Sequence, residues 1–143
     1  MAQMVEGTRT ALVVEDEPLV LAVFRTILQR NGFIVLAAET GEAAFHWSYD
    51  RALRIDLVVA DIRLPGIPGS DMVLQIRTSR PDVPVLLTSG TPPDGWNTMD
   101  QRNIAELPKG SYSFLQKPFT AGELMDAVEN LLTRKALLLG GVL

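Results

Sequence analysis

Short, wholly apolar runs alternate along this chain with longer stretches of helical spacing. Residues 11–14 form the first run. Residues 18–30 follow, with Val20, Val23, Phe24 and Ile27 recurring at helical intervals. Pro18 suits a first helical position, and Asn31-Gly32 is a good stop. Residues 33–38 predict a second strand, and Thr40 caps a helix running to about residue 52. Residues 57–60 predict a third, buried strand that meets Asp61 at once. The loop 63–69 holds two prolines and two glycines, after which Ser70 or Asp71 caps a helix to about residue 80. Residues 83–87 predict a fourth strand, ending at Thr88-Ser89-Gly90. Pro92, Pro93, Asp94 and Gly95 forbid an immediate helix, so a short one is expected within 97–106. Residues 112–115 predict the fifth strand. Thr120-Ala121-Gly122-Glu123 is a capping box, opening a last helix with Leu124, Val128, Leu131 and Leu132 on one face.

Strands that are apolar without alternation are buried on both faces, which means a parallel sheet with helices on each side. The fold class is therefore α/β: a doubly wound, five-stranded parallel sheet with five helices. In such sheets the ligand site lies at the carboxyl ends of the strands. The polar residues at those ends should then form one chemical set, and they do. Strand 1 ends in Glu15-Asp16-Glu17, strand 3 in Asp61 and strand 4 in Thr88-Ser89; strand 5 is followed by Lys117-Pro118.

Composition narrows the chemistry. At 143 residues the chain fits one domain and buries enough surface to need no staples. It has no cysteine, which excludes disulfides, thiolate metal sites and cysteine nucleophiles. A formal net charge of −4 argues against non-specific nucleic-acid binding. No apolar run approaches the length of a membrane span, and residues 1–10 carry no secretory h-region.

Crowded carboxylates repel one another, and a hard divalent cation relieves the repulsion. Oxygen ligands select Mg²⁺ over softer metals. Asp16 and Asp61 can supply the carboxylates. A carboxylate beside Mg²⁺ can attack phosphorus and become an aspartyl phosphate. The metal and Lys117 would spread the transferring charge, and Ser89 would donate to a phosphoryl oxygen. Each residue also has a plainer role: Asp16 and Glu17 as helix caps, Asp61 and Ser89-Gly90 as turn formers, Lys117 as a solvated lysine. The weight lies in their joint placement.

Over residues 10–134 the chain resembles the receiver domain of two-component response regulators, the CheY-like family. The resemblance rests on Val13-Val14-Glu15-Asp16-Glu17-Pro18, Asp61-Ile62-Arg63-Leu64-Pro65-Gly66, Pro84-Val85-Leu86-Leu87-Thr88-Ser89-Gly90 and Phe114-Leu115-Gln116-Lys117-Pro118-Phe119. It implies a flavodoxin-like sheet of order 2-1-3-4-5. It implies Asp61 as phosphoacceptor. Asp16 would ligate Mg²⁺ directly, Glu15 through water, with Asp61 and the Arg63 backbone carbonyl completing the site. Lys117 would pair with the phosphoryl group, across a cis Lys117-Pro118 peptide. Ser89 matches the family hydroxyl counting from Pro84, with Thr88 as the alternative. Ser89 and Phe114 would form the switch; Phe114 stands where tyrosine is common. Arg63 and Thr91 occupy positions that tune dephosphorylation. The implied donor is a sensor histidine kinase or a histidine phosphotransfer protein, and the implied reader a downstream protein. The expected setting is cytoplasmic, without nucleic-acid binding or membrane insertion, and homodimer formation stays open.

One region departs from the family. The stretch between Ser89 and Lys117 is a few residues longer than usual, and the excess falls within 91–110. The fourth helix is accordingly expected to be short, displaced or disordered. Trp96 there is either a partner anchor or a lid over apolar surface. His46 reads as an ordinary histidine rather than a relay site. The expected layout is a flexible segment 1–9, a receiver domain 10–135 and a tail 136–143. The tail's Leu137, Leu138 and Leu139 either extend the last helix or fray. Two rival functions remain: a small aspartyl-phosphate hydrolase, which would need an acid or base where Arg63 stands, and a receiver-fold module that binds partners without phosphate; the chain could also be the receiver fragment of a hybrid kinase. The expected class is a signalling domain rather than an enzyme, catalysing only its own phosphorylation and slow dephosphorylation.

Overall fold

The computed structural model describes residues 8–138. The strands are β1 (Arg9–Val14), β2 (Phe33–Ala38), β3 (Leu57–Asp61), β4 (Val85–Ser89) and β5 (Tyr112–Gln116). The helices are α1 (Pro18–Arg30), α2 (Gly41–Ser48), α3 (Gly69–Ser79), α4 (Thr98–Ala105) and α5 (Ala121–Leu138), with a 3-10 turn at Pro93–Gly95. All strand pairs are parallel, in the order β2-β1-β3-β4-β5. The parallel sheet is the one expected from the apolar runs, and its flavodoxin-like order is the one the resemblance implies. Residues 1–7 of the expected flexible segment and 139–143 of the tail, Leu139 included, lie outside the described residues.

Strand alternation divides the core into two layers. Leu12, Val14, Val58, Ala60, Val85 and Leu87 face α2, α3 and α4. Ala11, Val13, Leu57, Val59 and Leu86 face α1 and α5. Every residue of β3 is buried, which is why the sequence shows an unbroken run there. Each fully buried Leu or Val contributes on the order of 1.5–3 kcal/mol relative to exposure.

Local chemistry sets the element ends. Gly32 takes φ 88° after α1, a left-handed conformation natural to glycine. The capping box at α5 is reciprocal: Thr120 N–H donates to Glu123 Oε1 at 2.7 Å, and Glu123 N–H to Thr120 Oγ1 at 3.0 Å. Three expectations are corrected. The helix expected to reach residue 52 stops at Ser48, because the Arg80 guanidinium gathers the carbonyls of Ser48, Asp50 and Leu53 into a loop. The fourth strand starts at Val85 rather than 83, since Pro84 has no N–H and the Val83 N–H turns back to Arg80. Neither Ser70 nor Asp71 caps α3; Pro68 is at the cap, and Ser70 is buried against α4.

That contact fixes α4. Ser70 Oγ donates to Asp100 Oδ1 at 2.5 Å. Asn103 Nδ2 donates to Ser70 Oγ at 3.0 Å and to Asp71 Oδ1 at 2.6 Å. Asn97 caps the helix by accepting from the Asp100 N–H at 2.8 Å. The helix has eight residues, so it is short as expected, and it is clasped to α3 rather than disordered.

Candidate functional site

Parallel topology collects the carboxyl ends of β1, β3, β4 and β5 at one edge of the sheet, with β1 and β3 adjacent. The Glu15 N–H prolongs the β1–β2 ladder by donating to the Ala38 carbonyl at 2.9 Å, and the Lys117 N–H donates to the Ser89 carbonyl at 2.9 Å. Phe119 packs on Phe24 with centroids 5.0 Å apart, anchoring the loop that follows Lys117. The Lys117-Pro118 peptide is cis. Under Asp61 the start of α3 lies so close that a Cβ on Gly69 would overlap the Asp61 carbonyl oxygen.

Lys117 Nζ is shared by two carboxylates. It donates to Glu15 Oε1 at 2.7 Å and to Asp61 Oδ2 at 2.8 Å, with Glu17 Oε1 at 3.9 Å. Asp61 Oδ1 accepts the Arg63 N–H at 2.9 Å, and Glu15 Oε2 accepts the Glu17 N–H at 3.1 Å. Glu15 is fully buried, Asp61 nearly so and Asp16 half-buried. Burial pushes the Glu15 carboxyl above its usual range, against the opposing hydrogen bond from Lys117. Burial pulls the other way on the Lys117 ammonium, but its hydrogen bonds to Asp61 and Glu15 outweigh it and hold the proton more tightly. Counted by charge, three carboxylates, Glu15, Asp16 and Asp61, face one ammonium at this edge.

Glu15, Asp16 and Asp61 each offer a carboxylate oxygen within 4.8 Å of the others. An all-oxygen donor set of this kind fits a hard divalent cation such as Mg²⁺.

The hydroxyls separate cleanly. Ser89 alternates onto the face of Leu87 and Phe114, and its Oγ accepts the Thr91 N–H at 3.0 Å. Thr88 lies on the opposite face with Leu86, fully buried, and its Oγ1 has no hydrogen-bond partner. Phe114 is half-buried beneath Trp96, whose ring stands edge-on at 5.4 Å. At 7% exposure Trp96 is a lid, and the partner-anchor reading is set aside. His46 is exposed, edge-on to Trp47.

The sequence profile of the family described as "Response regulator receiver domain" matches residues 11–129. The chain belongs to this receiver family. Among its relatives, PrrA of Mycobacterium tuberculosis, a transcriptional regulatory protein, is 35% identical over 124 residues, covering 87% of this chain and 50% of PrrA. The response regulator GtcR of Aneurinibacillus migulanus is 28% identical, with 89% of this chain and 49% of GtcR covered. The receiver domain thus spans about half the length of these curated relatives. A CheY-like receiver from Methanospirillum hungatei superposes with a TM-score of 0.78 over 90% of this chain and 97% of that one, at 18% identity, and so supports the fold.

Within this receiver domain, Glu15, Asp16, Asp61 and Lys117 come together as anticipated from the strand ends. Arg63 contributes its N–H to Asp61 while its side chain is exposed. Two features escaped the sequence: the Thr91 N–H as donor to Ser89, and the polar clasp under α4. The first is a local serine turn of a kind that Ser89-Gly90 permits, whereas the clasp joins residues about 30 positions apart that no local pattern marks.

Proposed function

We propose that this receiver domain accepts a phosphoryl group on Asp61 and changes shape in response. The observation that carries the reading is the sharing of one half-buried ammonium, Lys117, between the buried Glu15 and Asp61, beside a third carboxylate. A pocket with this charge excess takes up positive charge and then a phosphoryl group.

One Asp61 carboxylate oxygen attacks the phosphorus of a phosphohistidine on a sensor histidine kinase or phosphotransfer protein. The P–O bond forms as the P–N bond breaks, and the imidazole nitrogen leaves with the electron pair and takes up a proton. Asp16, Asp61 and the Arg63 carbonyl would hold Mg²⁺, with Glu15 acting through water. Magnesium, when bound, supplies positive charge against the phosphoryl oxygens. Lys117 exchanges its Asp61 carboxylate partner for a phosphoryl oxygen. The Ser89 hydroxyl donates to another, and Phe114, on the same sheet face, follows the space it vacates. Phosphorylation thereby shifts an existing equilibrium that a downstream protein reads. Among the described residues no helix is long and apolar enough to cross a membrane. The cytoplasm, where kinases use ATP, is the compartment that suits this reading.

The intact acidic set and its lysine favour this over a module that works without phosphate. Arg63, in the place where a hydrolase would need an acid or base, argues against turnover of external phosphoesters. Fluorine NMR with Mg²⁺ and beryllofluoride tests the reading. Bound fluoride resonances are expected for the parent and not for Asp61→Asn; equal binding by both would sink it.

A further inference from the structure

The segment between β4 and α4 is closed on itself by a short chain of contacts that begins at Ser89 and ends at Phe114. The Thr91 N–H donates to Ser89 Oγ at 3.0 Å. The carbonyl of the same Thr91 accepts from Trp96 Nε1 at 2.9 Å. The Trp96 ring, 7% exposed, meets Phe114 edge-on with centroids 5.4 Å apart. The turn between them is tight: a Cβ on Gly95 would lie 2.7 Å from Thr91 Cγ2. Beyond Trp96 the chain is held. Gln101 Nε2 donates to the Trp96 carbonyl at 3.0 Å, and α4 is clasped to α3 through Ser70, Asp100 and Asn103.

Both oxygens of Asp61 are occupied by the Arg63 N–H and Lys117, while Ser89 Oγ is engaged with Thr91. We propose that Trp96 is a positioning residue: acting through Thr91, it holds the Ser89 hydroxyl back from Asp61 and couples its release to the freeing of Phe114. The inference rests on Asp61 as phosphoacceptor. A hydroxyl that swings toward a phosphoryl group on Asp61 gives up the Thr91 N–H. Thr91 then no longer fixes the acceptor for Trp96 Nε1, and the indole loosens from Phe114. With α4 anchored, the change is taken up by residues 89–97 rather than by displacement of the helix.

The test uses the full chain in a Trp47→Phe background, so that Trp96 is the remaining tryptophan. Adding Mg²⁺ and beryllofluoride is expected to shift Trp96 emission to the red and to increase its quenching by acrylamide, while fluorine NMR reports bound fluoride. In parallel, Trp96→Phe keeps a ring over Phe114 but loses the N–H donor. It is expected to bind beryllofluoride about fivefold more tightly, the equivalent of one net hydrogen bond no longer opposing the swing. Gly95→Ala, which pushes on the Thr91 methyl and keeps the Trp96 N–H donor, is expected to change affinity in the same direction. Bound fluoride with unmoved Trp96 emission overturns the positioning role alone, as does unchanged affinity in both variants. No bound fluoride in the parent chain removes the phosphoacceptor reading, and the role of Trp96 with it.

Discussion

The acidic pocket at the strand ends and the polar clasp between α3 and α4 are both buried, yet they meet the cost of burial in opposite ways. In the clasp, donors and acceptors are matched among Ser70, Asp71, Asn97, Asp100 and Asn103. In the pocket, one ammonium serves Glu15 and Asp61, with Asp16 and Glu17 close by. A cluster closed by its own hydrogen bonds holds elements together. A cluster in which three carboxylates crowd within 4.8 Å of one another, two of them sharing one ammonium, is prepared for a ligand that completes it. Substitutions in each should therefore behave differently.

Lys117→Ala carries the largest expected effect. It leaves the buried Glu15 and Asp61 carboxylates without their counter-charge, a loss of about 3–5 kcal/mol for breaking a buried pair. Urea unfolding measures it, and Mg²⁺ should restore part of the loss. No recovery with Mg²⁺ would mean that the pocket does not accept a cation.

Asp100→Ala leaves the buried Ser70 hydroxyl without its acceptor, at about 2 kcal/mol, while Asn103 keeps Ser70 and Asp71. Beryllofluoride affinity at Asp61 is expected to stay close to that of the parent. A large fall in affinity with little loss of stability would reverse the distinction between the two clusters.

Magnesium alone should stabilise the parent by about 1.4 kcal/mol at a tenfold excess over its Kd. Asp61→Asn should blunt that gain, as followed by the unfolding midpoint across a Mg²⁺ titration. An undiminished gain would place the cation elsewhere.

Thr88→Val replaces an orphaned buried hydroxyl by a methyl group and should stabilise by about 1 kcal/mol. Since Thr88 faces away from Phe114, beryllofluoride should still bind. Loss of binding would move the phosphoryl-facing hydroxyl from Ser89 to Thr88.

The smallest effect lies far from both clusters. Arg9 donates to Glu129 at 2.8 and 3.0 Å, and this hydrogen bonding holds the Glu129 carboxyl below its usual range. A lowered carboxyl pKa contributes stability above the unfolded value, lost as pH falls through the folded one. Glu129 is half exposed, so Glu129→Gln should cost no more than about 0.5 kcal/mol at neutral pH. The difference should vanish in acid; a difference that grows in acid would contradict the assignment.

How much was legible follows the same division. The strands announced themselves because β1, β3 and β4 are buried on both faces, and Glu15, Asp61 and Lys117 stood out because sheet topology collects strand ends. The clasp was invisible. Ser70 reads locally as a helix cap, and only the seating of α4 turns it toward Asp100. Trp96 had two equal readings until its ring was seen over Phe114. The end of α2 was missed because the agent that stops it, Arg80, sits at the C-terminal cap of α3, about thirty residues on.

The most direct measurement is mass spectrometry of the chain after incubation with Mg²⁺ and phosphoramidate, a small P–N donor. One added phosphoryl group on the peptide containing Asp61, absent from Asp61→Asn, is the predicted result. The same added mass on Asp61→Asn, or on a peptide elsewhere in the chain, would contradict it.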